Sequence, residues 1–308
     1  MKIFFLKLIA IAMLLLTLCI SIHSCKKEIY DIKQTDESYN PEQKINKIYY
    51  EEYEQKYLTQ EWTWENDKLM SIEYFRKDGI SKLEHYNYEE NKLVKVEDNG
   101  GYLQISYKNL QYDKIEYFRV NNNHLIATWI FSYINNKVYK INLTYDYSDS
   151  LIYKMVGGGF LSSLLPSEKF ISMVKRSAKE NGSESPYPQI TTLTYRYVGN
   201  NIQEKKWTID GTDVCATYYY KSYDNKQNPF YKHIGLMNLS FFVQGIDMVT
   251  SQNNPLELNV SYSEVPWLNT TTTYSYKYDT TSFPIELEVI RIGPYEAKNQ
   301  YKEYYEYE

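Results

Sequence analysis

The chain has 308 residues with 39 acidic and 34 basic side chains, a formal net charge of −5. Charges so balanced leave no basic footprint, which excludes nucleic acid as a partner. With three Cys and four His against 35 Tyr, the chain has no material for a disulfide framework or a histidine-built zinc centre.

The N-terminus, "MKIFFLKLIAIAMLLLTLCISIHSCKKE", sets Lys2 and Lys7 beside an apolar run from Leu8 to Ile20, with small residues leading to Cys25. That is the layout of a secretory signal, too short and wrongly flanked for a stable span, so residues 1–24 are set aside from the fold. Its ending, "IHSC", resembles the bacterial lipobox: Ile22, Ser24 and Cys25 fit, while His23 departs from the pattern. The resemblance implies cleavage before Cys25 and a diacylglycerol anchor on it, which makes the lipid bilayer a partner. Lys26 stands where an Asp would mark inner-membrane retention, so the outer membrane is the expected address, with cell surface and periplasmic face both open. Residues 25–41 read as a flexible linker and 42–308 as the folded body. Cys19 leaves with the signal, and Cys215, in "DVCATYYY", reads as a small apolar strand residue.

The pentapeptide "IEYFR" opens two related segments, at Ile72–Arg76 and Ile115–Arg119. Both segments close alike, with an aromatic, one residue and Tyr, then two residues, Asn-Lys, and alternating aliphatic and Lys: "YNYEENKLVKV" and "FSYINNKVYKI". Looser copies are "WTWENDKLMSI" at 62–72 and "YRYVGNNIQEK" at 195–205. Each ending reads as an aromatic strand, a short Asn-containing turn and a second strand, hence a β-hairpin. The Asp-Gly pairs in "KDGI" and "IDGT" and the "NGG" at 99–101 mark further turns. A period of about 44 residues therefore holds two hairpins, and hairpins that cannot bury their own faces must roll or stack together. Tyr suits such a sheet, with an apolar body and a polar tip. One stretch, "HLIATWIFSYI" at 124–134, is apolar on both faces and predicts a central strand covered on each side.

After "GGG" at 157–159 the pattern changes. Phe170, Ile171, Val174 and Ala178 fall at helical spacing, with Pro166 suited to a first turn and Asn181-Gly182 to a stop, predicting an inserted amphipathic helix around 160–180.

Further on come "YYYKSYDNKQNPF", "QNNPLEL" and "YSYKYDTTSFPIELEV". These and the "WTWENDKL" and "YNYEENKL" hairpins resemble a Bacteroidota lipoprotein family that carries a domain of unknown function with a porin-like fold. The likeness covers about residues 42–308 and implies an all-β, highly curved, rolled antiparallel sheet on a lipid anchor, with no established reaction. An embedded barrel would need a continuous outward apolar band. Here many strands set Lys or Glu opposite the aromatics.

Chemistry is sparse. His85, His124 and His233 each stand without a second ligand at metal spacing, so no metal and no cofactor are expected. Two carboxylates at glycosidase spacing would suffice for a hydrolase, but the sequence does not pick a pair. Of the Trp residues, Trp62 and Trp64 alternate onto one strand face and are the candidates for stacking on a ligand; Trp129, Trp207 and Trp267 are further aromatics. "DSL" and "DTT" resemble a short Bacteroidota O-glycosylation pattern, at Ser150 and Thr280. The reading is a non-catalytic, outer-membrane-anchored binding or structural lipoprotein, with a glycan, peptide or surface protein as ligand. A carbohydrate-active hydrolase and a carrier for apolar cargo are the alternatives.

Overall fold

The computed structural model describes residues 43–76, 79, 82–145, 189–209, 214–232, 250–263, 266–293 and 298–308. Among them run sixteen strands in chain order. The first eight are β1 (Ile45–Glu52), β2 (Gln55–Glu65), β3 (Lys68–Tyr74), β4 (Lys82–Glu89), β5 (Lys92–Glu97), β6 (Gly101–Lys108), β7 (Gln111–Arg119) and β8 (Leu125–Ile134). They are followed by β9 (Lys137–Tyr145), β10 (Gln189–Val198), β11 (Asn201–Ile209), β12 (Val214–Gln227), β13 (Asn253–Tyr262), β14 (Thr270–Tyr278), β15 (Pro284–Ile292) and β16 (Lys298–Tyr307). Each pairs antiparallel with its chain neighbours, and β16 pairs with β1, so the rolled sheet closes into a barrel and leaves no edge. Beyond the strands the described elements add only a short 3-10 turn at Pro266–Leu268. The helix expected around 160–180 lies outside the described residues.

The two rims differ. At one, β2–β3, β4–β5, β6–β7, β8–β9 and β10–β11 are joined by two-residue turns, and Asn66-Asp67, Asn109-Leu110 and Asn135-Asn136 all take positive φ, between 47° and 63°. That is the backbone of a tight hairpin turn, which Asn and Asp tolerate best. The repeated hairpin ending acquires a physical reason at this rim. In the pairs β2/β3, β4/β5, β6/β7, β8/β9 and β10/β11 the ladder slips one register directly before an aromatic: Trp64, Tyr88, Tyr107, Tyr133 and Tyr197. In several hairpins that ring then reaches back to a backbone carbonyl of the preceding strand. Trp64 Nε1 donates to Ile45 O at 2.8 Å, Tyr88 Oη to Leu69 O at 3.0 Å and Tyr107 Oη to Leu93 O at 2.7 Å. Tyr223 to Ile202 O at 2.6 Å and Tyr307 to Pro284 O at 2.8 Å repeat the bond on the far side. In these hairpins the bond ties the ring to the strand before it.

The doubled "IEYFR" falls on β3 and β7, four strands apart, so the sequence period is two hairpins of barrel wall. Ile72 and Ile115 are buried at equivalent places, while Glu73 and Glu116 point out. The inward faces join in one cluster that includes Ile45, Leu69, Tyr86, Leu103, Trp129, Ile141, Trp207, Leu258 and Val289. At Gly101 the ring of Tyr117 lies where a Cβ would project, so only glycine admits that ring. The outward face carries ion pairs such as Lys114–Glu116 at 2.8 Å, Lys221–Glu257 at 2.7 Å and Lys277–Glu286 at 2.8 Å.

The segment around β8 was expected to be covered on both faces; Ala127, Trp129 and Phe131 are buried, but outward Ile130 is 45% and Ile134 55% exposed. A closed barrel has one interior, so a strand apolar on both faces leaves one of them to the outside.

Candidate functional site

The inner wall is not uniform. From β2 to β13 it is mostly aliphatic and buried, whereas the sector where β13–β16 close on β1 is lined by half-buried Tyr50, Tyr274, Tyr276 and Tyr301. Tyr50 and Tyr301 stack with ring centroids 5.0 Å apart, and Tyr50 meets Tyr57 at 5.5 Å. Among these rings sits Glu303, whose Oε2 accepts the Tyr305 hydroxyl at 2.7 Å. Burial raises the Glu303 carboxyl above the usual carboxylate range, with the Tyr305 bond opposing. Burial also pushes Tyr276 and Tyr301 well above the ordinary phenol value, so both hydroxyls stay protonated. Apolar ring faces, hydroxyl donors and one carboxylate make a wall suited to a polyhydroxylated or amide-bearing ligand.

Elsewhere the interior holds charge that is already engaged. Lys82 Nζ lies 2.6 Å from Glu84 and 2.7 Å from Asp98. Asp98 also accepts the backbone N–H groups of Gly100 and Gly101 at 2.6 and 2.9 Å, closing the β5–β6 turn. Burial raises the Glu84 carboxyl while Lys82 opposes it. These two acids are close together, but one lysine and one turn occupy them, which suits architecture rather than proton transfer to a substrate. The fully buried Lys205 sets its ammonium 3.9 Å from the Tyr218 ring centroid.

The "YDNKQNPF" and "QNNPLEL" motifs meet in a polar knot at the tight-turn rim. Asp224 Oδ1 accepts from Lys226 N at 3.0 Å and Asn254 N at 3.1 Å, and Oδ2 accepts from Asn254 Nδ2 at 3.1 Å and from the Tyr278 hydroxyl. Asn228 Oδ1 accepts from Phe230 N at 3.0 Å and its Nδ2 donates to Ser251 O at 2.9 Å. The knot turns Phe230 inward against Trp62 and Tyr305, at 6.3 and 6.0 Å between centroids. The motif residues thus satisfy buried backbone and seat one ring in the core.

Trp62 and Trp64 share the inward face, stacked 6.2 Å apart. Trp62 is 2% exposed and donates to Gln60 Oε1 at 3.0 Å, so its ring belongs to the packed interior. Trp129 and Trp207 are buried too, while Trp267 is 56% exposed on the 3-10 turn. His85 points outward from β4, His124 is exposed just ahead of β8, and Cys215 lies in β12. Among the described residues no three His, Cys, Asp or Glu converge as metal ligands. Thr280 is exposed at the β14–β15 turn, where Asp279 Oδ1 accepts the N–H groups of Thr281 and Phe283, both at 2.9 Å. Cys25, Ser150 and His233 lie outside the described residues. Sequence reasoning missed the Tyr wall around Glu303; the alternation in "NQYKEYYEYE", with Tyr301, Glu303, Tyr305 and Tyr307 on one face, carries its signal.

No protein-family model and no curated relative matches the chain. Solved structures do. A porin-like protein from Bacteroides vulgatus ATCC 8482 aligns over 86% of this chain and 99% of its own, with a TM-score of 0.50 and 11% identity. A porin-like protein from Bacteroides uniformis ATCC 8492 aligns over 86% and 98%, with a TM-score of 0.50 and 15% identity. At such identities the likeness shows the fold, a porin-like all-β barrel.

Proposed function

We propose that the chain is a non-catalytic, lipid-anchored envelope protein whose barrel stands in water and binds a ligand, rather than a channel embedded in the bilayer. One observation carries this: the wall's polarity. A spanning barrel turns an apolar belt outward and encloses a polar lumen; here the outward faces bear ion pairs along β7, β12, β14 and β15, and the inward faces are the packed ones. Polar or charged groups on a lipid-facing wall would each carry a large penalty. The described interior, filled over most of its circuit by its own side chains, also leaves little room for apolar cargo. The polar stretch of the inner wall is the Tyr-lined sector around Glu303, and a glycan or peptide is the ligand class its chemistry suits. Cys25 is the proposed site of acylation.

The body from residue 26 onward, exported behind an ordinary cleavable signal, should be soluble without detergent, and the lipidated chain should give no conductance in planar bilayers. Dependence on detergent, or stable single-channel currents, would overturn the reading. Palmitate labelling should disappear in Cys25→Ala. Thr280 is proposed as an O-glycosylated position: intact mass from the native host should show a glycan that Thr280→Ala removes, and an unmodified mass would refute it.

A further inference from the structure

Resting on the reading of the Tyr-lined sector as a ligand wall, we infer that its ligand is an acidic glycan, which enters past Trp267 and sets one sugar carboxylate on Arg291. Register layers the sector from the rim opposite the tight turns inward. Arg291 pairs with Thr272 and Asn299, then Tyr301 with Val289, then Tyr50 with Glu303. Arg291 follows the buried Leu287 and Val289 at a period of two, so it shares their inward face, and it is half-buried there. Glu303 stands four residues beyond Asn299 along β16, about 13 Å deeper.

The charges select an acidic ligand. Outward on β15, Glu286 is paired with Lys277 and Lys302, whereas the inward Arg291 is in no ion pair among the described residues. The rings beside it feel its charge: burial raises the phenols of Tyr262 and Tyr301, and Arg291 opposes that rise in both. The acids of this face, Glu303 and Glu52, belong to the deeper layer of β16 and to β1, so cation and acids stand apart. A half-buried guanidinium without an acidic partner is suited to a bidentate pair with a carboxylate. One such cation over this length matches one acidic sugar among neutral ones rather than a polyanion, which a net charge of −5 repels.

The rings select a saccharide. Tyr57, Tyr50 and Tyr301 run across β2, β1 and β16 with centroids 5.5 and 5.0 Å apart. At the rim, Trp267 is 56% exposed although its turn is pinned. Asn269 N donates to Pro266 O at 3.1 Å, Asn269 Oδ1 accepts from Tyr262 N at 2.8 Å, and Leu268 packs on the inner cluster. An indole held in water on a fixed turn adds nothing to the core; beside a row of rings it offers a sugar a flat apolar face. An extended peptide is the poorer fit, because every strand of the closed wall is paired on both sides and leaves no edge to join.

The test is calorimetry on the full chain in mild detergent. The probes are tri- and tetrasaccharides carrying one uronic or sialic acid, the same saccharides without the carboxylate, sulfated counterparts, and free tetrapeptides. The carboxylated saccharides that bind should do so at least about tenfold more tightly than their neutral counterparts. Arg291→Gln should abolish that preference and leave the neutral affinity unchanged, while Arg291→Lys, which keeps the charge without the fork, should retain part of it. Trp267→Ala, at an exposed position, should weaken carboxylated and neutral ligands alike by several-fold, and Ser275→Ala, exposed outward on β14, should weaken neither. Melting curves check that each variant is folded, and should Arg291→Gln fail to fold, Arg291→Lys and Trp267→Ala still decide. Equal affinity for carboxylated and neutral saccharides, a preference for the sulfated ones, or a preference untouched at Arg291 would overturn the inference and leave the wall a glycan site. Binding of the peptides alone would overturn it and leave a peptide site. No binding by any set would remove the ligand wall itself and the inference with it.

Discussion

The two faces of β16 obey opposite rules. Inward, Tyr301, Glu303, Tyr305 and Tyr307 stand among other rings, and burial raises the one carboxyl they surround. Outward, Gln300 donates to Glu288 at 2.8 Å, Lys302 lies 3.6 Å from Glu286, and the Tyr304 hydroxyl reaches Glu51 at 2.8 Å. A period of two separates these environments by one residue. The contrast teaches that barrel closure and barrel environment are independent: turns and register close the wall, while the parity of apolar residues decides whether lipid or water surrounds it. On the reading proposed above, a porin-like topology with the parity reversed is a barrel made for water.

The hardest way to break the contrast is to empty the inner face. Trp62→Ala should cost about 3–5 kcal/mol in chemical denaturation, whereas Thr63→Ala, one residue along and outward, should stay within about 0.5 kcal/mol. Equal losses would mean that the inner face is not the core. A gentler cut removes one hydroxyl: Tyr88→Phe deletes the bond to Leu69 O and leaves a carbonyl short of its donor, a loss of about 1–1.5 kcal/mol. Tyr49→Phe, on the outer face, removes only a long 3.3 Å contact with Glu306 and should be silent.

The repeats made much of this architecture legible. Asn-Lys after an aromatic strand fixes a turn, and the doubled "IEYFR" fixes a two-hairpin period, from local rules alone. Closure was not legible, because the β1–β16 pairing joins residues at opposite ends of the body, and nothing local in Ile48 announces Tyr305 as its partner. The surroundings of the candidate aromatics were not legible for a related reason. Trp62 and Trp64 do alternate onto one face, but which face becomes the interior is decided by all sixteen strands together. The Asp224 and Asn254 motifs were visible as words, while their role in seating Phe230 requires the fold.

A finer probe is pH. Glu303 ionises above its ordinary value in the folded chain, so the native state holds that proton more tightly than the unfolded one. Its contribution is therefore greatest at low pH and is lost as pH rises through the folded pKa. Glu303→Gln should remove the Glu303 share of this slope, leaving that of Glu84, whose carboxyl burial also raises, and leave the protein at least as stable near neutrality as the parent. If the slope is unchanged, the carboxyl is not held as the geometry places it.

Outside, the sign reverses, and the effect is the smallest of the set. Glu286 is lowered below its ordinary range, first by the hydrogen bond from Lys277 and then by the charges of Lys277 and Lys302. A lowered carboxyl stabilises above its unfolded pKa and loses that contribution as pH falls through the folded one. Lys277→Gln should soften this acid-side loss without a measurable change in the midpoint at neutral pH and physiological salt, because the pair is solvent-exposed and screened. Within the parent's titration these two carboxyls thus contribute opposed slopes, one from each face of the wall. Combining Glu303→Gln with Lys277→Gln separates them: two sites on opposite faces without a shared partner should act additively. A double variant that departs from the sum would mean that Glu303 and Glu286, one strand apart and facing opposite ways, feel each other through the wall.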